Sequence, residues 1–90
     1  MKSGHKHPLE IEGFGSLDEL AEEVGNLRYD KTRDFLSSLA DDIKRQADAD
    51  KGRGRLQLAE KLYQTAERLY SARDEMERAW KICEPYMKEE

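Results

Sequence analysis

The residues best suited to chemistry in this sequence lie in one short stretch, Lys51-Gly-Arg-Gly-Arg55. Guanidinium groups bind phosphate through paired N–H donors, and neighbouring glycines let a phosphate approach the backbone closely. Nearby aspartates bring the local charge close to neutral, so a solvated turn is expected here. Contacts from Lys51, Arg53 and Arg55 to a phosphate group or to RNA are one alternative, and a contact with an acidic protein surface is another.

Two further groups of residues are of the types that bind metals. His5 and His7 could supply two imidazole ligands, but the sequence offers no third fixed ligand beside them. Asp48 and Asp50 begin like a calcium loop, yet arginine and alanine stand where that loop needs glycine and glutamate. The sequence therefore predicts no metal and no cofactor, and it places the histidines in a flexible N-terminal segment, residues 1–15.

Catalytic arrangements are equally incomplete. Glu19-Leu-Ala-Glu22 resembles the first half of the paired acidic motif of MazG-like nucleotide pyrophosphohydrolases, which are also small, all-helical proteins. That family carries a second E-x-x-D motif on the following helix, and residues 26–52 contain no glutamate. No serine or cysteine lies near a plausible histidine base either. The sequence therefore predicts a protein without enzymatic activity.

One long stripe of residues runs through the C-terminal third of the chain. Its members alternate at spacings of three and four, the pattern of the a and d positions of a coiled coil, and Arg73 alone among them is charged. A helix with such a face is stable in water when that face is covered. The residues expected in the core or at an interface are Leu62, Leu69, Arg73, Met76, Trp80 and Cys83.

Several residues of this region have a second interpretation. Arg73 either extends outward to water or pairs with an acid across an interface and fixes the register there. The rings of Tyr63, Tyr70 and Trp80 could stack on nucleic-acid bases, although their helical spacing favours the core or an interface. Cys83 is expected to be a buried, unreactive thiol.

Local signals predict three helices and therefore an all-α fold. Ser16 and Glu19 have the spacing of a capping box, which satisfies backbone donors at the start of a helix. Pro85 lacks a backbone donor and disfavours helix at the residue before it, so the last helix should end or kink there. The predicted helices cover residues 16–25, 28–49 and 54–84 of a single domain, residues 16–90.

The two long helices should form an antiparallel hairpin. A bend near Lys51 places Leu36 near Ala66, and it leaves the last helix uncovered from about Met76 onward. The first helix is about 12 Å long and could fold over that extension as the third member of a bundle. The same stripe also suits a dimer that forms a larger bundle.

The overall composition narrows the range of partners. Charged residues make up 40 % of the 90-residue chain, whose net charge is −4, so nucleic acid is the alternative and not the favoured partner. No apolar run approaches a membrane span, and a single cysteine cannot form an internal disulfide, so a cytoplasmic location is expected. We therefore expect a homodimeric, non-catalytic interaction or assembly module, which also binds a protein partner that the sequence does not identify.

Overall fold

A computed structural model describes residues 7–87, and within them it contains three α-helices and no strand. The helices are α1 (Leu17–Gly25), α2 (Tyr29–Gly52) and α3 (Leu56–Met87). α2 and α3 pack against each other extensively, which confirms the predicted all-α hairpin with a short N-terminal helix. The predictions for His5 and for the last three residues concern positions outside the described range.

α1 begins with the predicted cap and is tied to α2 at its other end. Ser16 Oγ accepts a hydrogen bond from Glu19 N at 3.1 Å, and Gly15 N donates to Glu19 Oε2 at 2.9 Å. The Glu19 carboxylate therefore satisfies the residue before the cap and not the cap residue itself. Thr32 Oγ1 donates to Val24 O at 3.0 Å, which fixes the end of α1 beside the first turn of α2.

α1 does not fold over the extension of α3, contrary to the prediction. Among the described residues, α1 lies against α2, and no Cα atom of α1 comes within 8 Å of a Cα atom of α3. α1 contains no buried residue; Leu20 and Val24 are half-buried, and Leu17 is 60 % exposed. α1 is therefore a side attachment to α2 and leaves α3 without a third helix.

The turn of the hairpin comes later than the predicted bend near Lys51. α2 continues to Gly52, and the chain turns at Gly54, whose φ of +81° is the left-handed conformation that glycine adopts without strain. Arg55 N donates to Asp50 O at 2.9 Å and closes the turn. Of the two glycines in this stretch, the second one reverses the chain.

The later turn changes which residues of the two helices face each other. The Tyr70 hydroxyl bonds to Asp41, whereas a bend near Lys51 would bring Leu69 or Tyr70 close to Thr32, nine residues earlier in α2. α2 consequently reaches much further along α3 than predicted. Arg28, directly before α2, lies over the Trp80 ring at 5.2 Å from its centroid. The long uncovered extension of α3 was therefore a wrong prediction.

α3 also runs past its predicted end at residue 84. The helix passes through Pro85 and ends at Met87. Proline has no N–H group, so the Lys81 carbonyl loses its helical hydrogen-bond partner. Pro85 is exposed, and water can satisfy that carbonyl near the end of the helix.

The hairpin is thin, and small residues form its core. Its principal extents are 52 × 29 × 14 Å, so its smallest dimension is close to the width of one helix. No large side chain of residues 7–87 is fully buried, and no described helix combines the length and apolar character of a membrane span. The buried apolar residues among those described are four alanines: Ala40, Ala47, Ala59 and Ala66.

Candidate functional site

The two edges of the hairpin carry different side chains. Residues directly before and after a buried helical residue project to opposite sides of it, about 100° away in each direction. On α2 the buried residues Ala40 and Ala47 therefore separate two edges. The tyrosine edge, which α2 and α3 form together, consists of Asp41, Asp48, Tyr63 and Tyr70. The Leu39 edge, on the other side of α2, consists of Thr32, Leu39, Gln46 and Arg53.

Hydrogen bonds between the helices close the tyrosine edge. The Tyr63 hydroxyl donates to Asp48 Oδ1, and the Tyr70 hydroxyl donates to Asp41 Oδ1. These bonds raise the pKa of both tyrosines, because an ionised phenolate would lose the hydrogen bond and lie beside a carboxylate. Both rings are half-buried, so the tyrosines contribute to the pairing of α2 with α3.

Arg73 crosses the seam between the helices. Its Nη1 donates to Ser37 Oγ on α2 at 3.4 Å, and its guanidinium lies over the Tyr70 ring at 4.8 Å from the centroid. Its Nη2 lies 3.0 Å from Asp74 Oδ1 on its own helix. Arg73 is therefore half-buried, and the acid that balances its charge belongs to α3 itself.

Charged and aromatic groups join the helices at the open end of the hairpin. Arg33 Nη1 pairs with Glu77 Oε1 at 2.5 Å, and this contact lowers the pKa of Glu77. Arg28 covers one face of Trp80, while its Nε and Nη2 bind the two Asp30 oxygens at 2.7 and 2.9 Å. Trp80 is half-buried in this arrangement.

The remaining stripe residues are covered in part. Leu62, Leu69 and Met76 are half-buried, and so is Cys83, which the sequence analysis expected to be buried. α2 begins close to the level of Cys83, so little lies opposite the thiol. A cavity of about 320 Å³ opens there instead, lined by Asn26, Leu27, Arg28, Tyr29, Cys83 and Met87.

A second cavity lies at the turn end of the Leu39 edge, and we call it the arginine cleft. Of the three basic residues predicted to act together, Arg53 and Arg55 line it, whereas Lys51 lines a different cavity beside Tyr63. Arg45 joins from α2, and His7 joins from the N-terminal segment. The cleft has a volume of about 320 Å³ and is lined by His7, Arg45, Gln46, Ala49, Asp50, Arg53 and Arg55.

Aspartates orient the arginines of the cleft. Asp50 is 9 % exposed, and its Oδ1 lies 3.3 Å from Arg55 Nη1 and 3.8 Å from Arg53 Nη1. Arg45 Nη2 lies 2.7 Å from Asp42 Oδ1, and the hydrogen bond from Arg45 lowers the pKa of Asp42. A guanidinium has five N–H donors, so each arginine keeps donors for a further acceptor. Three guanidinium groups face two carboxylates, and the cleft is net positive.

No family model, curated protein or solved structure matches this chain. Within residues 7–87, no three His, Cys, Asp or Glu side chains are grouped as a metal site requires.

α1 carries a group of exposed acids, and none of them takes part in an ion pair among the described residues. The sequence holds six acids and no base between residues 9 and 27, so the charge of this segment is uncompensated locally. The acids of α1 are Asp18, Glu19, Glu22 and Glu23.

Some of these groupings had a signal in the sequence that the predictions did not use. Asp41 and Asp48 are seven residues apart, and so are Tyr63 and Tyr70. Matching spacings on two antiparallel helices indicate that the pairs can meet along one edge. His7 had no comparable signal, because the path of the N-terminal segment determines its position.

Proposed function

We propose that this chain is a homodimeric helical interaction module without catalytic activity. The observation that carries the proposal is that no large side chain of residues 7–87 is fully buried, in a hairpin only 14 Å thick. Stable domains bury the apolar faces of at least two packed layers against each other. A second copy supplies the missing layer, since an identical chain carries an identical apolar face.

The surface area of the chain supports the same proposal. The chain exposes 7143 Å² at a mass of 10.5 kDa, whereas a compact monomer of that mass exposes about 5400 Å². The difference exceeds the roughly 800 Å² that each partner buries in an interface of standard size. The radius of gyration, 16.3 Å, is likewise larger than the value of about 12 Å for a compact domain of this length.

The proposal includes neither a reaction nor a cofactor. An active site brings polar groups together in a cleft and shifts their pKa values for a task. Here the groups with shifted pKa values, such as Tyr63, Tyr70 and Glu77, are paired across the hairpin and stabilise it. We place the module in the cytoplasm, because a chain with a single cysteine fits a reducing compartment.

The mass in solution tests this proposal directly. We expect light scattering on a sizing column to give twice 10.5 kDa, at two protein concentrations and at low and moderate salt. Circular dichroism on the same samples checks that the chain is helical. A compact, helical monomer under all four conditions would contradict the homodimer.

A second candidate function is the binding of phosphate or nucleic acid at the basic turn. The observation in its favour is that Arg45, Arg53 and Arg55 surround one cavity. Against it stand Asp50, which already engages two of them, and the net charge of −4. This function predicts RNA affinity that falls steeply with salt and is lost when Arg53 and Arg55 become alanine. Fluorescence anisotropy that shows no binding, or binding insensitive to salt, would exclude it.

A further inference from the structure

The two edges of the hairpin differ in how readily a partner could bind to them. On the tyrosine edge, the hydroxyls of Tyr63 and Tyr70 already donate to acids of α2. A partner docking there would have to compete with these bonds. On the Leu39 edge, no hydrogen bond among the described residues joins α2 to α3, and large apolar side chains are exposed.

The two ends of the Leu39 edge carry opposite charge. At the open end, the bond from Thr32 to Val24 O holds the carboxyl end of α1 against this edge, with the exposed Glu22 and Glu23 close by in sequence. At the turn end, the Leu39 edge carries Arg53 in the arginine cleft, and Arg45 reaches the same cleft from the outer face of α2. One surface therefore has an acidic end and a basic end, which is the distribution that an antiparallel copy of itself complements.

The spacing of these two ends fits a two-fold axis. Two antiparallel copies of α2 overlap fully when the axis passes through the midpoint of Tyr29–Gly52, between residues 40 and 41. Thr32 is three residues from one end of α2, and Ala49 is three residues from the other. The axis therefore places Thr32 of one copy opposite Ala49 of the other. Since Ala49 lines the arginine cleft, the end of α1 lies at the same level along α2 as the cleft of the second copy.

The middle of the same edge is apolar. Leu39 lies beside the midpoint of α2 and is 38 % exposed, and Phe35, one turn away, is 40 % exposed. Around a two-fold axis at this point, the Leu39 side chains of the two copies lie close to each other. An apolar centre with a charged rim is the usual composition of a protein interface.

We infer that a second copy of this chain docks antiparallel on the Leu39 edge. Glu22 and Glu23 of each copy pair with Arg45 and Arg53 of the other, and Leu39 packs at the two-fold axis. This inference rests on the proposed homodimer and adds the surface and the charges that form it. The unpaired acids of α1 in one copy thus bind the remaining guanidinium donors of the cleft in the other copy.

Two charge-reversal variants and their mixture test the pairing. One variant is Glu22→Lys with Glu23→Lys, and the other is Arg45→Glu with Arg53→Glu. The second variant leaves the Arg55–Asp50 contact in place, so the turn keeps that bond. We expect each variant alone to raise the dimer dissociation constant roughly 100-fold, because like charges then face each other at both ends. An equimolar mixture should restore a dimer of nearly the original affinity, since opposite charges meet again.

Matched reversals away from the Leu39 edge serve as controls. Lys44→Glu changes the residue next to Arg45, and Glu67→Lys changes an exposed acid of α3. Each should alter the dissociation constant less than about threefold, because an exposed charge outside the interface contributes little. Circular dichroism of every variant checks that helix content is unchanged.

The outcomes separate this inference from the homodimer itself. Loss of the dimer in both variants and recovery in the mixture support the inference. A wild-type dimer that survives both reversals leaves the homodimer in place and overturns the docking surface. Two monomeric variants that stay monomeric when mixed overturn the charge pairing. A wild-type monomer overturns both proposals. If the Arg45→Glu, Arg53→Glu variant remains a dimer but loses RNA binding, the cleft binds phosphate and not a second copy.

Discussion

The tyrosine edge and the Leu39 edge use the same helical repeat for opposite purposes. Asp41 and Asp48 follow the buried alanines of α2, and each accepts a bond from a tyrosine of α3. Leu39 and Gln46 precede the same alanines and bond to nothing on α3 among the described residues. Residues two positions apart on α2 therefore lie on different edges: one edge bonds to α3, and the other has no such bond among the described residues. Four sets of substitutions and one pH titration should break or sharpen that contrast.

The largest effect is expected in the seam that both edges share. Ala47 is 0 % exposed, so Ala47→Leu forces the helices apart and should lower the free energy of unfolding by about 1–3 kcal/mol. Urea titration followed by circular dichroism measures it. Ser38→Leu adds a leucine at an exposed position of the same helix and should change stability by less than about 0.5 kcal/mol. Equal effects would mean that the alanine contact is loose.

The next effect concerns the open side alone. Leu39→Asp should weaken the dimer by about 2 kcal/mol, roughly 30-fold in dissociation constant, because a charge replaces the apolar centre of the interface. Helix content should stay unchanged, since Leu39 is 38 % exposed within the single chain. The matched control is Leu56→Asp, at a leucine that is 64 % exposed near the turn. If Leu56→Asp weakens the dimer more, the interface lies elsewhere.

A smaller effect should be confined to the closed side. Tyr63→Phe with Tyr70→Phe removes both hydrogen bonds of the tyrosine edge and should lower the Tm by about 3–6 °C. The dimer dissociation constant should not change, because these residues lie on the other edge. Thermal unfolding and dilution light scattering on the same protein separate the two quantities. A weakened dimer would show that the tyrosine edge takes part in association.

The same two tyrosines predict how stability depends on pH. Their hydrogen bonds raise the tyrosine pKa in the folded chain, so the unfolded chain releases these protons first as the pH rises past about 10. The stability contributed by these groups is complete below that pH and is lost as the pH rises through the folded pKa. The Tm of the wild type should therefore fall more steeply above pH 10 than that of the double phenylalanine variant. If the Tm of both proteins falls equally with pH, the hydrogen bonds of Tyr63 and Tyr70 are contradicted.

The smallest effect is expected at the open end. Arg28→Ala uncovers one face of Trp80, the single tryptophan of the chain, and should shift its fluorescence to longer wavelength. The Tm should fall by only about 1–2 °C, because cation–π contacts at exposed sites are weak. Lys31→Ala, at a nearby exposed residue, should change neither quantity. An unchanged spectrum in Arg28→Ala would mean that the guanidinium does not cover the ring.

The helices and the hairpin could be predicted because they follow from periodicity. Every member of the α3 stripe from Ala59 to Met87 is buried or half-buried, as its three-and-four spacing requires. Register could not be predicted in the same way. Gly52 and Gly54 are equivalent in sequence, and only the left-handed backbone at Gly54 shows which of them reverses the chain. An error of one residue in the bend displaces the pairing by two, so the later turn moves the partner of Tyr70 by nine residues, from Thr32 to Asp41, or about two and a half helical turns.

The residues of the arginine cleft could likewise be predicted only in part. Arg53 and Arg55 were predicted from their spacing, and both line the cleft. Lys51 was grouped with them on the assumption of an irregular turn. Because α2 continues past it, Lys51 lies one turn after Ala47 and on the side of Tyr63. The Arg45 and His7 contributions depend on tertiary packing, which a single sequence does not contain.

The cross-helix bonds also set an order in which the hairpin closes. They join residues 15, 29, 36 and 44 positions apart, which are Tyr63–Asp48, Tyr70–Asp41, Arg73–Ser37 and Arg33–Glu77. The entropy lost on closing a loop grows with its length, so the pair nearest the turn forms first and shortens the loop for the next. The contacts between α2 and α3 should therefore form in order of their distance from Gly54, the nearest first. Amide hydrogen exchange should be slowest beside the turn and fastest where Arg28 meets Trp80, the last contact to close and the first to fray.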